Sequence, residues 1–95
     1  MIQWTESALE DLDKIAEFVF ERSGYDESEK VIALIEAHAE TIVEPMNSSR
    51  RGRVAKTREL LILYKKRSQY FVVFKKNTAG DFLILRVKHT LEQYP

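Results

Sequence analysis

Three runs of sequence carry the fold: Thr57-Arg58-Glu59-Leu60-Leu61-Ile62-Leu63-Tyr64, Tyr70-Phe71-Val72-Val73-Phe74, and Asp81-Phe82-Leu83-Ile84-Leu85-Arg86-Val87-Lys88-His89. Each is rich in aliphatic, β-branched or aromatic residues. Lys65-Lys66-Arg67-Ser68 and Asn77-Thr78-Ala79-Gly80 separate them at hairpin length, which predicts three consecutive antiparallel strands in a meander. The middle run is apolar on both parities, Tyr70, Val72 and Phe74 on one and Phe71 and Val73 on the other. A sheet in a small domain packs one face and usually leaves the other polar. A second apolar face therefore predicts a cover, either a partner or the domain's own N-terminal or C-terminal segment. Ile2-Gln3-Trp4 is a candidate for one more short strand.

Upstream of these runs the period changes. Ala8, Leu12, Ile15, Ala16 and Val19, widened by Leu9 and Phe20, recur at helical spacing. Thr5 is a candidate N-cap, Ser7-x-x-Glu10 offers a second start, and Ser23-Gly24 supplies a stop. A second helix is predicted from Asp26, carrying Val31, Ile32, Leu34, Ile35, Ala39, Ile42 and Val43 up to Pro45. The short link Gly24-Tyr25 makes the pair an antiparallel helical hairpin. His38 falls on the apolar face, as a core-edge histidine. Asn47 to Arg53 shows no periodicity and is expected to be a polar, basic loop.

The chain has 95 residues, 44% hydrophobic and 32% charged, enough for one domain, 1–95, with a modest core. It has no cysteine and only two histidines, His38 and His89. That excludes a disulfide framework, a thiolate site and a histidine-rich metal site, so no metal and no cofactor is expected. No apolar run is long enough to span a membrane and no signal peptide is evident, so a cytoplasmic location away from membranes is expected. The formal net charge of +0 conceals a separation. Residues 1–46 hold 12 acids against 3 bases, a balance of −9, and residues 47–95 hold 12 bases against 3 acids, a balance of +9. Either the basic half meets an anionic partner, nucleic acid or an acidic protein segment, or the two halves neutralise each other across the fold.

Trp4-Thr5-x-x-Ala8-x-x-Asp11-Leu12-x-x-Ile15, a second helix ended by Pro45, Gly52-Arg53, Thr57-Arg58-Glu59-Leu60, the Tyr70–Phe74 strand and Ile84-Leu85-Arg86-Val87-x-His89 together resemble the RelE/ParE family of bacterial toxins. The resemblance runs in order over nearly the whole chain. It implies an α+β fold, β-α-α-β-β-β, with an N-terminal helical hairpin packed on a small antiparallel sheet. It also implies a growth-inhibiting toxin of a type II toxin–antitoxin system of the kind that stabilises plasmids. A cognate antitoxin would wrap the toxin with an acidic and apolar C-terminal segment, and the toxin would reach operator DNA only through that antitoxin.

Two mechanisms exist in the family. RelE-like members cut mRNA on the ribosome, and ParE-like members inhibit DNA gyrase without being nucleases. RNA cleavage needs a base, an acid and cations around the phosphorane. For a ribonuclease the candidates here are Arg58, Arg86, His89 and Tyr94. In that branch the last strand runs into Gly-Lys/His-Arg with a tyrosine soon after. His89 and Tyr94 fit the spacing, but Lys88 replaces the glycine and Thr90 stands where the arginine belongs, which removes a donor fork for phosphate. In an unbroken strand His89 shares parity with Leu83, Leu85 and Val87 and faces the core, while Arg86 and Lys88 share the other parity with Phe82 and Ile84. An anionic partner, phosphate or antitoxin carboxylate, has Arg50, Arg51, Arg53, Arg58, Arg86 and Lys88 to meet. The wording of these motifs and the missing arginine favour the gyrase branch over the ribosome and its mRNA. A basic nucleic-acid-binding domain without toxicity is the third reading.

Overall fold

The computed structural model describes residues 1–42, 49–65 and 68–90. In chain order these form β1 (Ile2–Trp4), α1 (Glu6–Ser23), α2 (Tyr25–Ala39), β2 (Ser49–Arg51), β3 (Arg58–Tyr64), β4 (Ser68–Lys76) and β5 (Phe82–His89). The strands make one five-stranded sheet in the order β1-β5-β4-β3-β2. The predicted meander is β3–β4–β5, all antiparallel. β2 adds an antiparallel edge against β3, and β1 adds a parallel edge against β5, so the sheet is mixed rather than wholly antiparallel.

Thr5 caps α1, its hydroxyl accepting from the Ala8 amide at 3.2 Å. Gly24, at φ 89°, closes α1 by donating to the Phe20 carbonyl, and its own carbonyl accepts from the Ser28 amide. A left-handed φ suits glycine, which lets one residue serve both helices. The link is thus shorter than expected and α2 begins at Tyr25. It also ends earlier, at Ala39. The Thr41 amide and hydroxyl both turn back to the His38 carbonyl, and the Ile42 amide bonds Ala39, which tightens the chain out of the helix. Val43 and Pro45, expected to extend and end it, lie outside the described residues.

Both helices cover one face of the sheet. Ala8, Leu12 and Ile15 of α1 and Val31, Ile35 and Ala39 of α2 meet Leu60, Ile62, Tyr70, Val72, Phe74, Ile84 and Val87. Burying each large aliphatic or aromatic side chain is worth about 1.5–3 kcal/mol. The α1 stripe is narrower than its sequence suggests, because Leu9 and Phe20 are half-exposed. His38 sits at the core edge, with Nδ1 2.9 Å from the Leu34 carbonyl.

Two local readings change in the structure, and a third, left open between two covers, is decided. Ser49–Arg51, expected as loop, is a strand opposite Arg58–Leu60. A three-residue strand with polar side chains has no alternation to read, so pairing alone defines it. A bulge in β5 shifts the register between Val73 opposite Arg86 and Phe74 opposite Ile84, leaving Leu85 as the extra residue. Parity flips there: Phe82 and Ile84 join Val87 in the core instead of lying with Arg86 and Lys88. The second face of β4 is also not spare, because Phe71 and Val73 are fully buried within the chain itself. The Arg53 guanidinium lies 4.7 Å from the Phe71 ring centre and the buried Glu59 stands opposite Val73. Among the described residues, the large apolar side chains exposed on the sheet are Leu61 and Leu63 on β3.

The turn between β2 and β3 closes with the Gly52 amide donating to the Thr57 carbonyl at 2.8 Å. A Cβ at Gly52 would collide with Thr57 Oγ1. Gly52→Ala should therefore lower stability by about 1–3 kcal/mol, the usual cost of overpacking, read as a lower midpoint in urea unfolding.

Candidate functional site

At the bulged edge of β5 the Asp11 side chain, 3% exposed, reaches from α1 to the sheet. Arg86 donates to it from Nε at 2.7 Å and from Nη2 at 3.0 Å, a two-pronged contact. The Val87 amide donates to Oδ2 at 3.0 Å, and Lys88 Nζ stands 3.5 Å from Oδ1. Burial by itself would raise the Asp11 carboxyl, but the hydrogen bonds from Arg86 and Val87 and the charges of Lys88 and Arg86 outweigh it and hold it below the usual carboxylate range. The Thr5 hydroxyl donates to the Ile84 and Leu85 carbonyls beside it, so the start of α1 is pinned to the same bulge. Arg86 and Lys88, candidates for an anionic partner, thus serve an acid of the chain's own first helix.

A second carboxylate, Glu59 on the outer side of β3, is 1% exposed. It accepts from Arg50 Nε and Nη2 at 3.2 and 3.0 Å and from the Arg53 amide at 3.1 Å, with Arg53 Nη2 at 3.8 Å. Arg58 donates from Nε and Nη2 to the Ser49 hydroxyl and carbonyl, at 2.8 and 2.6 Å. Beside these groups the turn from β2 to β3 frames an open cleft of about 610 Å³. Arg51, Arg53, Lys56 and Arg58 are among its walls. Lys56 adopts φ 67°, the left-handed region that a lysine seldom occupies.

Among the described residues, the ribonuclease candidates Arg58, Arg86 and His89 do not converge. His89 meets Tyr70 edge-on, ring centres 5.1 Å apart, on the core side of the sheet. Burial pushes the Tyr70 phenol above its ordinary value, further from proton donation at neutral pH. Arg58 pairs with Phe74 and His89 with Tyr70, four residues apart along β4, which is roughly 13 Å of strand. Arg86 is bound to Asp11. Tyr94 lies outside the described residues. Among those residues no cluster of three potential metal ligands occurs, and no helix is long and apolar enough to cross a membrane.

Arg50, Arg51, Arg53 and Arg58, expected from the sequence to meet a partner, do gather on β2, β3 and their turn. Asp11 and Glu59 stand within the sequence motifs, but their structural roles are set only by the fold. A lone acid flanked by arginines, on a strand position with outward parity, was the signal for Glu59. Nothing local marked Lys56, whose backbone conformation arises from closing the turn.

The geometry describes a small sheet whose helical hairpin is held by an acid–arginine clamp and whose far end presents cations. The model of the ParE toxin of type II toxin–antitoxin systems, parDE, matches residues 2–94. A protein of Sinorhizobium fredii (strain NBRC 101917 / NGR234) named "Putative toxin Y4kP" is 32% identical over 94 residues, covering 99% of this chain and 92% of that one. Among solved structures, the chromosomal ParDE system of P. aeruginosa superposes with a TM-score of 0.77 at 22% identity, over 93% of this chain and 92% of that one. The RelBE2 toxin–antitoxin complex of Mycobacterium tuberculosis gives 0.64 at 19% identity, over 94% and 95%. The chain belongs to the ParE toxin family of type II toxin–antitoxin systems, and its two helices on a mixed five-stranded sheet have the ParE/RelE toxin fold.

Removing the Asp11 charge leaves Arg86 and Lys88 facing a neutral group in a buried setting. Asp11→Asn should cost about 2–4 kcal/mol in urea unfolding at neutral pH, below the largest buried-pair values because Arg86 is partly solvated. The depressed folded pKa stabilises the wild type in full above the ordinary carboxylate value of about 3.9, and the contribution is lost as pH falls through the folded value. In Asp11→Asn that part of the acid slope should be absent.

Proposed function

We propose that this protein is a ParE-like toxin that inhibits DNA gyrase in the cytoplasm and is neutralised by a cognate antitoxin. The observation that carries the choice of mechanism is the scattering of the would-be ribonuclease groups. A 2′-hydroxyl attack needs its base, acid and cations around one phosphate, within hydrogen-bond reach. Here Arg58 and His89 are about 13 Å apart along β4, and Arg86 is committed to Asp11. An inhibitor that works by binding needs no such convergence. The likeness to RelBE2 supports the alternative, a ribosome-dependent endoribonuclease, at the level of fold.

The antitoxin reading rests on the family and on the fold's neighbours, which come from a ParDE system and a RelBE2 toxin–antitoxin complex. An acidic and apolar segment that folds on binding suits a surface combining arginines with exposed Leu61 and Leu63. Contact with operator DNA would then run through the antitoxin. Of the six cations expected to meet its carboxylates, Arg50 and Arg53 already hold Glu59, and Arg86 and Lys88 hold Asp11. Among the described residues, Arg51 and Arg58 are the members without a carboxylate.

Expressed alone in a bacterium, the protein should arrest growth, and the antitoxin encoded beside it should restore growth. Purified toxin should block gyrase supercoiling while translation continues. His89→Ala should leave that inhibition within about threefold, whereas a lost acid–base group in a ribonuclease costs about 100-fold or more. Ribosome-dependent mRNA cleavage with untouched supercoiling would overturn the gyrase reading.

A further inference from the structure

We infer that the cleft between β2 and β3 binds the phosphodiester backbone of duplex DNA, with Arg51, Lys56 and Arg58 as its phosphate ligands. This deepens the gyrase reading and rests on it for its place in the cell: the toxin would grip the DNA that gyrase handles as well as the enzyme.

Four observations lead there. Arg51 and Arg58 are direct cross-strand partners, so two like charges stand opposite each other in the register of an edge pair. Such a pair opposes folding unless an anion sits between or beside the charges. Arg51 and Lys56 are exposed, and neither has an ion pair or hydrogen bond through its side chain among the described residues. Arg58 is half-buried and its Nε and Nη2 are tied back to Ser49, which holds the guanidinium still with Nη1 unengaged. The turn that carries these cations is built to be rigid. Gly52 and Thr57 close it with backbone bonds, the Thr57 hydroxyl bonds Val54, Glu59 takes the Arg53 amide, and Lys56 is held in a left-handed conformation.

The cleft's chemistry separates DNA from other polyanions. None of its lining residues is aromatic, so the cleft lacks the aromatic platforms on which single-stranded nucleic acid usually stacks its bases. Apart from Ala55 the lining residues are basic or polar or glycine, giving little purchase for the apolar side chains of an acidic protein segment. What remains is point charge and a guanidinium fork, the chemistry of backbone phosphate without base readout. By register Arg51 and Arg58 share the sheet face of Phe74 and the helices, and no ion pair joins either of them to a helix acid among the described residues.

The test uses the full chain and a fluorescein-labelled random-sequence duplex, with anisotropy followed from about 50 to 200 mM salt. Wild type should bind without sequence preference. The double variant Arg51→Gln/Lys56→Asn, in which Asn tolerates the left-handed backbone, should bind at least tenfold more weakly and lower the salt slope by about two, near one per lost phosphate contact. Lys14→Asn on α1 should bind as wild type, and circular dichroism should show all three folded alike. An unchanged slope and affinity in the double variant would overturn the inference. So would tighter binding of single-stranded RNA than of duplex, or displacement of the duplex by inorganic phosphate at matched ionic strength. A gyrase supercoiling assay on the same preparations separates the two readings. Inhibition by wild type that the double variant retains defeats the DNA contact alone, and DNA binding without any inhibition defeats the gyrase reading alone.

Discussion

The carboxylate of Asp11 fastens the helical half of the molecule to the sheet. It enters the one place where β5 leaves regular pairing, takes the Val87 amide that the bulge presents, and gathers Arg86 and Lys88 around it. A buried carboxylate is costly unless its lone pairs are filled, and here three groups fill them. Thr5 grips the carbonyls of Ile84 and Leu85 next to it. The start of α1, its middle and the last strand are therefore held at one locus, and α2 follows through Gly24 and the Ser28 hydroxyl on the Ala16 carbonyl.

The same clamp decides which cations face outward. The separation of acids and bases along the chain is used in two ways at once. Part of it neutralises across the fold: Asp11 with Arg86 and Lys88, and Glu27 with Lys65 and the Tyr64 hydroxyl. Glu59, one of the three acids of the basic half, absorbs Arg50 and Arg53. Of the six cations expected to meet a partner, Arg51 and Arg58 are left without an ion pair among the described residues, and both stand beside the turn after β2. A patch of six cations becomes a much smaller one, at a defined end of the sheet.

Closing both faces of β4 changes what the surface can offer. Phe71 and Val73 lie opposite the helices, yet they are as buried as the core proper. The Arg53 guanidinium, 3.8 Å from Glu59, lies over the Phe71 ring and forms part of that cover. Among the described residues, the large apolar side chains exposed to a partner are Leu61 and Leu63 on the sheet, Leu9, Phe18, Phe20 and Tyr25 on the helices, and Met1 and Val54.

The helical hairpin, the meander and the membership of a toxin family were legible in residue order, because periods of 3.6 and 2 and the Thr5, Gly24 and Asn77–Gly80 signals act locally. The Asn77 side chain does accept the Ala79 and Asp81 amides, closing that turn from its own first residue. The gathering of arginines 50, 51, 53 and 58 was also legible, as composition. Their division into paired and unpaired cations was not, since it depends on Glu59 facing outward and on the register that sets Arg51 against Arg58. β2 has too few residues to show a period, and only pairing with β3 makes it a strand. Parity along Phe82–His89 could be counted correctly and still mislead. One extra residue at Leu85 reverses every side chain beyond it, and that insertion is made by the contacts of Asp11 and Thr5 from elsewhere in the chain.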